Sequence, residues 1–141
     1  MSLASIFSAA NTTAALGWLL MIFAPRWRIT DRVVLSGALA LGLAALYTAL
    51  LIAHFGDGEG GFSSLDEVVK LFRQPAMVLT GWVHYLAFDL FIGAWEARDA
   101  RRRGVPHLAL VPCLLLTFMF GPVGLLVYRG VRVLLGRGRR V

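Results

Sequence analysis

Apolar residues fill four long blocks of this chain, and polar residues are confined to the joints between them. The blocks run approximately over 6–24, 33–53, 77–95 and 108–128. Each approaches the ~20 residues that an α-helix needs to cross a ~30 Å hydrocarbon layer. Helices are expected rather than strands, because an open sheet in lipid would leave backbone groups unpaired. The pattern therefore predicts an all-α integral membrane protein, with four transmembrane helices in one bundle and a single polytopic domain over residues 1–141. The stretch from Met1 to Ala24 has no basic leader, and its apolar part is longer than a usual signal core, so it reads as a retained first span.

The joints set the expected orientation. Pro25 to Arg32 carries Arg26, Arg28 and Arg32 with Trp27 and Asp31, and Glu96 to His107 carries Arg98, Arg101, Arg102 and Arg103. Both read as cytoplasmic by the positive-inside rule. The joint between the second and third spans is different. It opens on Gly56-Asp57-Gly58-Glu59-Gly60-Gly61 and continues into Ser64-Leu65-Asp66-Glu67, a capping-box pattern. Over 64–73, Leu65, Val68, Val69 and Phe72 share one helical face, which predicts an amphipathic helix at the outer interface. Such a helix would either cap a cavity between the spans or lie on the surface without a role. The C-terminal region fits poorly: Arg129, Arg132, Arg137, Arg139 and Arg140 lie there with no acidic residue, yet four crossings would put them outside. The favoured reading is a crossing helix kinked near Pro122. The other has Gly121-Pro122 break the span, so that Val123 to Leu135 returns inward or lies along the interface.

Composition narrows the function. Hydrophobic residues make up 58% of the chain and charged residues 16%, too few polar groups to cover a soluble domain of this size. The net charge of +6 comes from arginines flanking apolar blocks, which points to topology and anionic lipid headgroups rather than nucleic acid. Richness in alanine, leucine and arginine beside a single lysine suggests a multi-pass protein of a bacterial inner membrane. Cys113 is the one cysteine, and His54, His84 and His107 are scattered, so no metal site is expected. No nucleophile elbow, phosphate loop or dinucleotide fingerprint is present.

Asp89 stands in the apolar run from Gly81 to Trp95. A carboxylate at the centre of a membrane helix costs about 2.5–3.5 kcal/mol or more, so it is expected to face an interior and to have a partner or a task. At about 100° per residue, Trp82, Asp89 and Glu96 share a face, which Tyr85 and Gly93 join. His84 lies about 140° around the helix from Asp89, on a stripe with Phe88, Phe91 and Trp95. Two roles are open for Asp89. It could accept hydrogen bonds from Asn11, Thr12, Thr13, Tyr47 or Thr48, or it could act as a general acid or base. Asn11-Thr12-Thr13 reads first as a packing patch. Glu96 reads as a solvated partner of Arg98 and Arg101.

The run Gly81-Trp82-Val83-His84-Tyr85-Leu86-Ala87-Phe88-Asp89-Leu90-Phe91-Ile92-Gly93 resembles the central motif of the abscisic-acid-deficient-four-like family, whose plant members are the neoxanthin synthases. Ala97-Arg98-Asp99-Ala100-Arg101, Pro106-His107, and the stretch from Pro112 through Gly121-Pro122 to Leu126 extend the likeness. Gly17-Trp18-Leu19-Leu20 and Pro25-Arg26-Trp27 match the family's opening. The resemblance implies carotenoid metabolism. It makes Asp89 and His84 the candidate catalytic pair for epoxide opening to an allene, a change without redox and without a cofactor. It places Trp82, Tyr85, Phe88, Trp95 and Asn11 against a lipid-soluble substrate such as a carotenoid, with Glu96, Arg98, Asp99 and Pro122 in support. A bacterial relative would act on another carotenoid or isoprenoid. Two alternatives remain beside this isomerase reading: a small proton-coupled transporter, for which a homodimer would supply the path, and a non-catalytic subunit that binds a pigment or a partner.

Overall fold

The computed structural model describes residues 2–136, and those residues are helical with no strand among them. Six α-helices follow in order: α1 (Leu3–Phe23), α2 (Ala38–His54), α3 (Leu65–Leu71), α4 (Pro75–Arg103), α5 (His107–Phe120) and α6 (Pro122–Leu135). A π-helical turn, Thr30–Leu35, precedes α2. α1 and α4 are long and apolar enough to cross a membrane.

α4 is the axis of the fold. Its 29 residues make it about 43 Å long, well beyond the 77–95 expected from hydropathy. It runs on because Ala97, Arg98, Ala100 and the arginines from Arg101 to Arg103 keep the helical pattern, and it stops at Gly104 (φ 69°), where the amide of Val105 returns to the carbonyl of Ala100 at 2.9 Å. α1 runs parallel to it, with Phe7 on Trp82 and Ile22 at His107. Small residues let the two close: the Trp18 ring fills the space over Gly93, and Gly17 lies under Leu90. α2 runs the other way, with Leu39 beside Gly17 and Tyr47 against His84. It begins only at Ala38, because Gly37 (φ 86°) interrupts the expected second block.

The fourth block is where the structure departs most from expectation. It is not one kinked crossing helix. Gly121, at φ 45° and ψ −96°, ends α5 and starts α6, with Pro122 at the first helical position, where its missing N–H costs nothing. α5 descends antiparallel to α4, from His107 beside Ile22 to Phe118 beside Tyr85. α6 then returns along α5, bringing Tyr128 and Arg132 back to Asp99. Thr117 lies so close to Gly124 that a side chain there has no room. The pair is a helical hairpin whose two ends share one end of the bundle. Arg137, Arg139 and Arg140 lie outside the described residues.

In the joint before α4, Ser64 Oγ accepts the amide of Glu67 at 3.3 Å, as the capping pattern required. The inward residue of α3 is Leu71, whereas Leu65 and Val69 of the expected apolar face point out. Gln74 Nε2 ties the joint down by donating to the Glu59 carbonyl at 3.0 Å.

Candidate functional site

Two faces of α4 carry side chains with chemistry, and they touch only where the rings of Trp82 and Tyr85 pack at 5.4 Å. On the first face a cleft of about 450 Å³ lies between α2, α3 and α4. Tyr47 and Leu51 form one wall, Trp82 and His84 the other, and Phe62 and Phe72 close its end. Gly81 permits that closure, since a methyl there would come within 2.6 Å of the Phe72 ring. The cleft is apolar in character, and the Thr80 hydroxyl on its wall donates to its own helix, to Ala76 O at 2.8 Å. Aromatic rings pack on the imidazole of His84: Tyr47 edge-on at 5.2 Å and Phe88 stacked at 4.7 Å.

The second face looks toward the α5–α6 hairpin. Asp89 lies at the hairpin tip, and its Oδ2 is buried with no hydrogen-bond partner among the described residues. None of the donors expected for it arrives. Asn11 receives Trp82 Nε1 at 3.0 Å and gives its own amide to Phe7 O. Thr48 bonds back to Ala44 O at 2.9 Å, and Tyr47 is turned to His84. Tyr85, one turn before Asp89, donates to the Phe118 carbonyl at 2.5 Å.

Two turns further along, Glu96 is fully buried. This corrects its reading as a solvated ion pair: Arg98 donates to the Leu35 carbonyl, Arg101 pairs with Asp31 at 2.6 Å, and neither reaches Glu96. The physical reason is angular, because residues two and five positions on point to other sides of a helix. Glu96 meets Thr117 instead, whose Oγ1 stands 3.0 and 3.1 Å from its two oxygens. Asp99 completes the column, accepting Tyr128 at 2.7 Å and pairing with Arg132 at 3.2 Å and Arg103 at 3.6 Å.

Of the residues singled out from sequence, Trp82 and His84 line the cleft, and Phe88 stacks on His84 from beside it. Tyr85, Asp89, Glu96 and Asp99 face the hairpin, Trp95 packs edge-on against Tyr128 at 5.7 Å, Asn11 supports Trp82, and Pro122 starts α6. His84 and Asp89 thus lie on different faces of α4, as their angular separation foretold. Sequence reasoning did not single out Thr117 or Tyr128, or the roles of Phe62 and Phe72. Thr117 had one signal: it is the only hydroxyl in α5.

The chain matches the ABA DEFICIENT 4-like family over residues 5–128 and belongs to it. It is also similar to Protein ABA DEFICIENT 4, chloroplastic, of Arabidopsis thaliana, at 27% identity over 129 residues, covering 86% of this chain and 57% of that protein. The chain therefore spans little more than half the length of that relative. No solved structure matches.

Proposed function

We propose that this chain is an isomerase-like membrane protein acting on a carotenoid or related isoprenoid, and that the cleft beside His84 receives the substrate. One observation carries the reading: a cleft of about 450 Å³ walled by aromatic rings holds a single imidazole, with a phenol, Tyr47, directly against it. Aromatic and apolar walls suit a polyene, and two proton-carrying groups suit an isomerisation. For an epoxide opening to an allene, a C–H bond and an epoxide C–O bond break while a C=C and an O–H form. The imidazole would take the carbon-bound proton and the phenol would supply one to oxygen, with nothing oxidised or reduced. In this reading Asp89 touches no substrate and positions the hairpin.

The membrane arrangement in this reading is supported by which residues share an end of the bundle. Arg26, Arg28 and Arg32, the arginines from Arg98 to Arg103, and Arg129 and Arg132 gather at the end where Asp99 meets Arg132 and Asp31 meets Arg101. Asp57, Glu59, Asp66 and Glu67 lie in the joint at the other end. Three crossings by α1, α2 and α4, with α5–α6 entering and leaving from the arginine side, place every one of these arginines inside. The hairpin arms, 14 residues each, are about 21 Å long and too short to cross. Large apolar side chains such as Phe23, Ile52, Leu108 and Leu126, each more than 70% exposed, then face lipid.

The test is to express the full chain in a carotenoid-producing host, identify co-purified pigment by mass spectrometry, and compare His84→Phe. The reading expects pigment with both proteins and isomerised product with the unaltered chain alone. Absence of any isoprenoid from the purified chain would end it. Pigment without product in either case would favour a non-catalytic binding subunit, a reading supported by the separation of Asp89 from the cleft.

A further inference from the structure

A second cavity lies at the opposite end of the molecule, and neither the isoprenoid cleft nor the carboxylate column uses it. It holds about 490 Å³ between the end of α1, the π-helical turn, the end of α4 and the start of α5. Its floor is apolar, formed by Met21, Leu35, Ala97 and Leu110, and its rim carries Arg26 and Arg101. The two arginines come from different joints and play different parts. Arg101 is already held by Asp31 at 2.6 Å and is thereby fixed in place. Arg26 is exposed, and no carboxylate lies within salt-bridge distance of it among the described residues. The other polar lining groups are spent inside the fold, with Thr30 donating to Ala24 O at 2.7 Å and His107 Nε2 on Ile22 O at 2.8 Å. An uncompensated guanidinium over an apolar floor suits an anionic head on an apolar body.

We infer that this cavity binds the phosphate-bearing head of an amphiphile, with Arg26 on the phosphate and the body lying on Met21, Leu35 and Leu110. General attraction of loop arginines to an anionic surface would need no cavity and no apolar floor. Guanidinium suits the planar two-point grip that phosphate offers. The inference does not depend on the isoprenoid reading of the His84 cleft, only on the chain residing in a membrane.

Native mass spectrometry of the full chain in detergent tests it, with added phosphatidylglycerol, phosphatidylcholine or inorganic phosphate as probes. Arg26→Glu is compared with Arg28→Glu, an equal charge change at an exposed position outside the cavity. Retention of phosphatidylglycerol should fall roughly tenfold in Arg26→Glu and little in Arg28→Glu. Equal losses would overturn the inference in favour of unspecific surface charge. Inorganic phosphate competing as well as the lipid at equal concentration would also overturn it, because the apolar floor would then contribute nothing. A third variant, Ala97→Leu, fills the floor without touching charge and should weaken the lipid while leaving inorganic phosphate unchanged; undiminished lipid binding there would count against the inference as well.

Discussion

The backbone of Gly121 lies against the carboxylate of Asp89: a methyl at Gly121 would sit 2.8 Å from Oδ1. A carboxylate in the apolar core thus meets the positive-φ turn that joins α5 to α6. The amino end of α6 opens at this turn, where the positive end of the helix favours a carboxylate. Gly121→Ala should therefore destabilise on two counts. It would put a side chain into a positive-φ conformation, worth about 1–3 kcal/mol, and press it on Asp89. Gly130→Ala is the control on the same helix, with nothing within 4 Å of the new methyl, and should be neutral or stabilising by up to about 1 kcal/mol. Thermal unfolding of both variants in detergent decides; equal stability would mean that the turn does not depend on glycine.

Thr117 is the hydroxyl that answers Glu96 inside the bundle. Thr117→Val keeps the shape and removes the hydrogen bond, and should cost about 1–3 kcal/mol because the carboxyl stays buried without it. Thr117→Ser should recover most of the loss. The double variant Thr117→Val with Glu96→Leu should be more stable than Thr117→Val alone, since removing both partners of a buried polar pair is often near neutral. A double-mutant cycle by chemical denaturation measures the coupling, and additive effects would argue against the contact.

How much of this was legible in the sequence depends on which physical rule each feature obeys. Spacing along α4 put Asp89 and Glu96 on one face and His84 on another, as found, because a regular helix carries its angles over many turns. It also put Trp82 and Gly93 with Asp89, whereas Trp82 lines the cleft with His84 and Gly93 lies under Trp18 of α1, because a large indole reaches around the helix and α1 packs close over the glycine. The partners of those residues were not legible, since they sit on α5 and α6 and depend on where that pair goes. Gly121-Pro122 was visible as a break. Proline, however, starts a new helix as readily as it kinks an old one, and only the backbone angles of Gly121 separate the two. The excess of arginines after Leu126 was the clue that weighed against a crossing. The surroundings of Glu96 were not legible because its neighbours in sequence, Arg98 and Arg101, are not its neighbours in space. The inward side of α3 was not legible either: Leu71 is held by the close approach of Gly60, a tertiary contact that helix periodicity cannot reveal.

The closing ring of the cleft offers a functional prediction. Phe72 rests on Gly81 and is 43% exposed, so its ring has room to swing outward. Gly81→Ala should displace the ring with little loss of stability, and should lower retention of a bound isoprenoid several-fold, about 1 kcal/mol of lost contact. Phe72→Ala should act in the same direction. Pigment-to-protein ratio by absorbance is the measurement. Retention unchanged in both variants would place the isoprenoid somewhere other than this cleft.

The last prediction concerns the side on which the chain ends. Cys113 is fully buried and should not react with a bulky thiol reagent in the folded protein, so single cysteines can be introduced into the natural background. Leu65 and Leu135 are 78% and 48% exposed, and Arg28 is also exposed, which makes all three positions readable. If α5–α6 is a hairpin that enters and leaves from one side, Arg28→Cys and Leu135→Cys will label from the same side of a sealed vesicle and Leu65→Cys from the other. A fourth crossing would instead group Leu135 with Leu65. The charges favour the first outcome. Arg129 and Arg132 would otherwise stand on the acidic side, and the link from Arg132 to Asp99 at 3.2 Å would have to span the bilayer, which the end of α4 cannot do. Labelling with a membrane-impermeant maleimide, before and after the vesicles are opened, reads the result directly.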